Sequence, residues 1–199
     1  FCPGGALAVA HGDRVVPVLN RCVADARQHG MHVYASRDWH PAVSDHFAAY
    51  GGPWPPHCVQ HTDGAEFHPD LELPRSTILI TKGDDPHAHG YSAFDGHTAD
   101  GRSLIQDLHT RQVDQVYIGG LATDYCVRTS VLDARRSVLG PRNDLVVPLD
   151  RHELAREPEP ERSPSSVMPL ATSLASPFTS ILIAANSSRS WRRGIGTSV

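Results

Sequence analysis

Apolar residues recur at two periods along this chain. Between residues 13 and 29, Val15, Val16, Leu19, Cys22, Val23 and Ala26 follow a helical repeat. This predicts a helix capped by Asp13, with Pro17 in its first turn and Gly30 as its stop. Short apolar runs at 32–36, 77–81 and 115–121 predict strands, the second ending at Lys82. Leu104, Ile105 and Leu108 place a helix over 102–111, and Cys126, Val127, Val131 and Ala134 recur at helical spacing from Asp124 onward. A tight turn between Leu121 and Asp124 must join that last helix to the strand before it. Strands alternating with helices require crossovers, and crossovers give a mostly parallel sheet covered on both faces, a three-layer α/β/α fold.

The pattern weakens toward the end of the chain. Residues 145–149 keep the look of a strand, but 141–199 holds ten Ser and seven Pro with little periodicity, and includes the alternating run Glu157-Pro158-Glu159-Pro160-Glu161. One domain over 1–150 followed by a Ser/Pro-rich tail over 151–199, either disordered or an out-of-frame continuation, is the expected organisation. A net charge of -4 offers no basic patch for nucleic acid and no polybasic membrane segment. The apolar run at 181–185 is far too short to cross a bilayer. The four cysteines are widely spaced with no CxxC pair, which suits a reducing compartment, and no signal peptide is evident. The expectation is a cytoplasmic protein acting on something small.

Ligands of open parallel sheets bind just beyond the carboxyl ends of the strands. Asp38 and His40 follow the first predicted strand, Lys82 ends the second and Cys126 follows the third, so all converge on one edge. Cys126 would sit in the first turn of a helix, where free N–H groups and the helix dipole favour thiolate and would also face an oxyanion. A buried structural cysteine is the alternative. Lys82 beside it would stabilise thiolate and oxyanion, or else be a solvated residue at the sheet rim. Asp38, His40, His46 and His57 supply a carboxylate and three imidazoles from one loop region, a donor set suited to zinc, Fe(II) or Mn(II). His87 and His89 lie in a loop that no strand end fixes and read as surface. Trp54 and the segment Tyr91-Ser92-Ala93-Phe94 read either as ordinary packing or as a cover over a ligand.

The strings VYASRDWHP (33–41), GGPWPPHCV (51–59), GAEFHP (64–69), YSAFDG (91–96) and GGLATDYCV (119–127), with the opening FCPGGALAV, together resemble the nicotinamidase/pyrazinamidase group of the isochorismatase-like cysteine hydrolases. The resemblance implies hydrolysis of nicotinamide to nicotinate and ammonia in NAD salvage, by a Cys, Lys and Asp triad with a divalent metal ion that binds the pyridine nitrogen. It makes Cys126 the nucleophile, Lys82 the triad lysine, and Asp38, His40, His46 and His57 the metal ligands. It also implies a cis peptide between Leu121 and Ala122, an oxyanion hole from the Ala122 and Cys126 amides, and a ring pocket of Phe1, Leu7, Trp54, Tyr91 and Tyr125. The resemblance puts the triad aspartate on a first strand ahead of FCPGG. The expected fold is therefore the isochorismatase-like one without its first strand, from the middle of the sheet, and without its general base. Two other readings stand beside it: a related hydrolase of another small substrate, and a non-catalytic remnant that binds metal or nicotinamide.

Overall fold

The computed structural model of the chain describes residues 1–137 and 181–185. Four strands, β1 (His32–Asp38), β2 (Ile78–Lys82), β3 (Gln115–Gly119) and β4 (Ile181–Ala185), form one sheet in the order β2-β1-β4-β3. β1 and β2 pair in parallel, in a register that sets Tyr34 opposite Ile78 and Asp38 opposite Lys82. β4 is antiparallel to both its neighbours, so β1, β2 and β3 all run the same way. The helices are α1 (Val15–Gln28), α2 (Leu104–Thr110) and α3 (Arg128–Ser137).

Side-chain alternation along the strands sorts the core into two layers. Val33 and Tyr117 pack with Val16, Leu19, Val23 and Ala26 of α1 on one face of the sheet. Tyr34, Ile80, Val116 and Ile118 pack with Leu104 and Leu108 of α2 and Ala134 of α3 on the other. This is the expected three-layer α/β/α arrangement, in which each fully buried aliphatic side chain contributes about 1.5–3 kcal/mol. A polar lock reinforces the second layer. The carboxylate of fully buried Asp107 accepts from Tyr34 Oη at 2.8 Å and Arg111 Nε at 2.7 Å, with Arg102 Nη1 2.8 Å from its other oxygen.

Element boundaries depart from the sequence reading where local hydrogen bonds intervene. Asp13 caps nothing: it sits inside a 3₁₀ turn, Gly12–Arg14, and α1 starts at Val15 with no side-chain cap. Gly30 ends α1 as expected, at φ 64°, with its N–H and that of Met31 returning to Arg27 and Ala26 carbonyls. β1 runs on past Ser36 because Arg37 and Asp38 still pair with Thr81 and Lys82. The sheet is also not left short of a strand in its middle. β4 fills the place between β1 and β3, so the tail expected to be structureless over 151–199 contains one strand; the rest of that span, and 145–149, lie outside the described residues. No helix among the described residues is long and apolar enough to cross a membrane.

Candidate active site

The strand ends converge as the topology requires. Because Asp38 and Lys82 are Cα partners in the last rung of the β1–β2 ladder, their side chains emerge together at the carboxyl edge. Lys82 is 0% exposed, and its Nζ donates to Asp38 Oδ1, to the Gly90 carbonyl at 2.7 Å and to Cys126 Sγ at 3.5 Å. Burial works against the ammonium, but Asp38 and Cys126 outweigh it, so the Lys82 pKa lies above the usual lysine value. The acceptors Gly83 and Gly90, which flank the loop after β2, carried no signal in the sequence beyond being glycines.

Cys126 lies in a π-helical turn, Thr123–Val127, that leads from β3 into α3, and the Leu121–Ala122 peptide before it is cis. Burial opposes the thiolate-favouring groups expected around this position. With Cys126 only 5% exposed, burial pushes the thiol above its ordinary value, and the Lys82 charge and hydrogen bonds from Lys82 and the Ala122 backbone lower it only in part. Burial thus works against the thiolate that nucleophilic attack requires.

Three imidazoles face this corner. His40 is held at its backbone by bonds to Cys58 and Gln60, and its ring stacks on His46 at 4.2 Å and meets His57 edge-on at 5.3 Å. One ligand atom from each of His40, His46 and His57 lies within 4.8 Å of the others. The Nδ1 atoms of His40 and His57 donate to the carbonyls of Gly83 (3.0 Å) and Pro55 (2.8 Å), which leaves their Nε2 lone pairs free. Burial lowers the pKa of all three, His40 to about 4 and His46 to about 3, so each is neutral at physiological pH, as a metal ligand must be. Gly83 is part of this design: at φ 67°, and with a Cβ there falling 2.5 Å from the His40 ring, no other residue fits. The donor set fits a divalent ion of the zinc, iron or manganese type. Asp38, expected as a fourth ligand, is not in the gathered group, its Oδ1 being taken by Lys82.

Asp38, Cys126 and the three histidines border one cavity of about 390 Å³, together with Phe1, Leu7, Trp54, Tyr91, Ala122 and Tyr125. Trp54 Nε1 donates to Tyr91 Oη at 2.8 Å and its ring meets Tyr125 edge-on at 4.9 Å, while Phe1 meets His57 edge-on at 5.8 Å. Every residue expected in the site thus reaches the cavity wall, except that Lys82 stands behind it. His87 is exposed and paired with Asp45, as a surface residue would be. His89 is exposed too, but it lines the cavity and its Nδ1 lies 3.2 Å from that of His46, a contact the sequence did not reveal.

Residues 1–137 match the isochorismatase domain model. This chain belongs to the isochorismatase family. Within that family it is 41% identical over 150 residues to the nicotinamidase of Escherichia coli, covering 67% of this chain and 70% of that enzyme. It superposes on the crystal structure of the pyrazinamidase of Pyrococcus horikoshii in complex with zinc with a TM-score of 0.64, at 42% identity, over 70% of this chain and 74% of the other. PnC1 from L. infantum in complex with nicotinate gives a TM-score of 0.60 at 34% identity, over 70% of each chain. The family membership agrees with the α/β/α fold.

Proposed function

We propose that this isochorismatase-family chain carries the cysteine, lysine, metal and ring sites of an enzyme that hydrolyses nicotinamide to nicotinate and ammonia, and pyrazinamide likewise, in the NAD salvage of the cytoplasm, with the proton acceptor on the strand that the resemblance puts ahead of FCPGG. The observation that carries the reading is Cys126 Sγ, 3.5 Å from Lys82 Nζ, on the same small cavity as a three-histidine donor set. The names of the relatives support the same substrate. Phe1, Leu7, Trp54, Tyr91 and Tyr125 hold the flat ring by apolar contact. His40, His46 and His57 would hold a divalent ion, which when bound would supply a Lewis-acid contact that orients the ring. Cys126 loses its thiol proton to a carboxylate, and its sulfur bonds to the carboxamide carbon. The oxyanion rests on the Ala122 and Cys126 amides, the amine leaves as ammonia after taking the proton, and water splits the thioester to release the acid and restore the thiol. Lys82 holds its positive charge against the sulfur throughout.

The resemblance puts the proton acceptor on a strand ahead of FCPGG, so ammonia release from nicotinamide is to be measured on two proteins: the 199-residue chain, and the same chain with a family-like strand ending in Asp added before Phe1. The expected result is near-background release from the first, about 10²–10⁴-fold more from the second, and none from the second with Cys126→Ala. Equal rates with and without the added Asp would show that it is not the base. An undiminished rate in Cys126→Ala would remove Cys126 as nucleophile, and no release from either protein would turn the reading toward another small substrate.

A further inference from the structure

The three imidazoles of the cluster are not fixed in the same way. His40 and His57 each place Nδ1 against a backbone carbonyl, a group that only accepts, so the proton of each ring is fixed on Nδ1 and Nε2 is left as a donor to a metal ion. His46 has no such carbonyl: its Nδ1 faces, at 3.2 Å, the Nδ1 of His89, a ring nitrogen that can donate or accept. If His89 carries its proton on Nδ1, His46 must accept there, its own proton moves to Nε2, and the cluster offers two lone pairs. If His89 carries its proton on Nε2, His46 donates and the cluster offers three. The tautomer of an exposed loop residue therefore decides whether the donor set is complete.

We propose that His89 is a positioning residue of the metal centre, accepting the Nδ1–H of His46 and thereby presenting the His46 Nε2 lone pair to a divalent ion. The inference rests on the metal-binding reading of His40, His46 and His57. His89 does not reach His46 by chance drift of a loop. Its ring stacks on Tyr91 at 5.7 Å and 17°, and the Tyr91 hydroxyl in turn accepts from Trp54 Nε1 at 2.8 Å. The aromatic wall of the substrate cavity thus holds the group that orients a metal ligand. His87, two residues earlier, has no part in this, being exposed and paired with Asp45 at 2.8 Å.

The test is zinc affinity of the whole chain, by competition with a chromogenic chelator, for the wild type and the variants His46→Ala, His89→Ala, His89→Asn and His87→Ala. His89→Ala should weaken zinc binding about 10–100-fold, the range found when the outer partner of a metal-bound histidine is removed. His89→Asn, whose side-chain carbonyl can accept the same proton, should recover most of the loss, and His87→Ala should bind as the wild type does. A second readout is spectroscopic: ¹⁵N signals of the His46 ring in the metal-free protein should report the single Nδ1–H form in the wild type and a mixture of tautomers in His89→Ala. Wild-type zinc affinity in His89→Ala, with affinity lost in His46→Ala, overturns this inference alone. Wild-type affinity in His46→Ala overturns the metal reading, and the inference with it.

Discussion

Lys82 is wholly inside the protein, and a buried ammonium has three protons to place. All three are used, on Asp38, Gly90 and Cys126. Removing one partner of a buried charge pair costs more than the pair itself contributes, because the other charge stays behind unpaired. Lys82→Met should therefore destabilise the fold by about 3–5 kcal/mol in urea unfolding. Adding Asp38→Asn should return part of that loss, so the double variant is more stable than the sum of the two single losses requires. Unfolding of Lys82→Met at the wild-type midpoint would show that the pair has no structural role. At this scale the identity of the site residues was legible, because the strings around Asp38, Lys82 and Cys126 stand at strand ends. Their partners were not. A carboxylate beside histidines reads as a ligand whether or not a lysine across the ladder has taken its oxygen, and the turn holding Cys126 does not announce how deeply its thiol is buried.

Between elements, the loop carrying Tyr91 is tied to α3 through one hydroxyl. Ser92 caps a 3₁₀ turn, Ala93–Asp95, accepting from the Phe94 N–H at 3.1 Å while Asp95 accepts from the Ser92 N–H at 3.1 Å. The Ala93 N–H then donates to Ser130 Oγ of α3 at 2.8 Å, both groups being buried. Ser130→Ala leaves that amide without its partner and should cost about 1–3 kcal/mol of stability by denaturant titration. It should also raise the KM for nicotinamide in the extended chain more than it lowers kcat, since Tyr91 lines the cavity and touches no reacting bond. An unchanged stability would mean that water satisfies the amide as well as Ser130 does. Periodicity revealed α1, α2 and the three co-directional strands, because each shows one apolar face or run long enough to carry a signal. The strand at Ile181–Ala185 did not stand out: five apolar residues without alternation, set in a Ser/Pro-rich stretch, look like a chance cluster until two neighbouring strands claim them.

For the molecule as a whole, β4 is the piece that joins the two halves of the site. It bonds β1, which leads to Asp38 and His40, on one side and β3, which leads to Cys126, on the other. Ile183, paired with both Val33 and Tyr117, is at the middle of this junction. Ile183→Pro removes a ladder hydrogen bond from a central strand and should cost about 3 kcal/mol or more, seen as a lowered Tm of the 199-residue chain. The resemblance puts a family-like first strand in the middle of the sheet, so in the extended chain that strand would take the same place. Ile183→Pro should then leave the Tm of that protein nearly unchanged. Equal losses in both would show that the added strand does not enter between β1 and β3.

The ladder between His32 and Ala184 also bears on how the protein is made. A ribosome releases β1 and β2 early, and their parallel ladder needs only the chain between them. The pairing of β4 with its neighbours cannot form until residues 181–185 have emerged, so the facing edges of β1 and β3 wait unpaired while the stretch between β3 and β4 is made. Long-range pairing of this kind folds slowly and leaves strand edges open to other chains. Shielding of those two edges while β4 is still being synthesised will therefore bear on the yield of this protein in a cell.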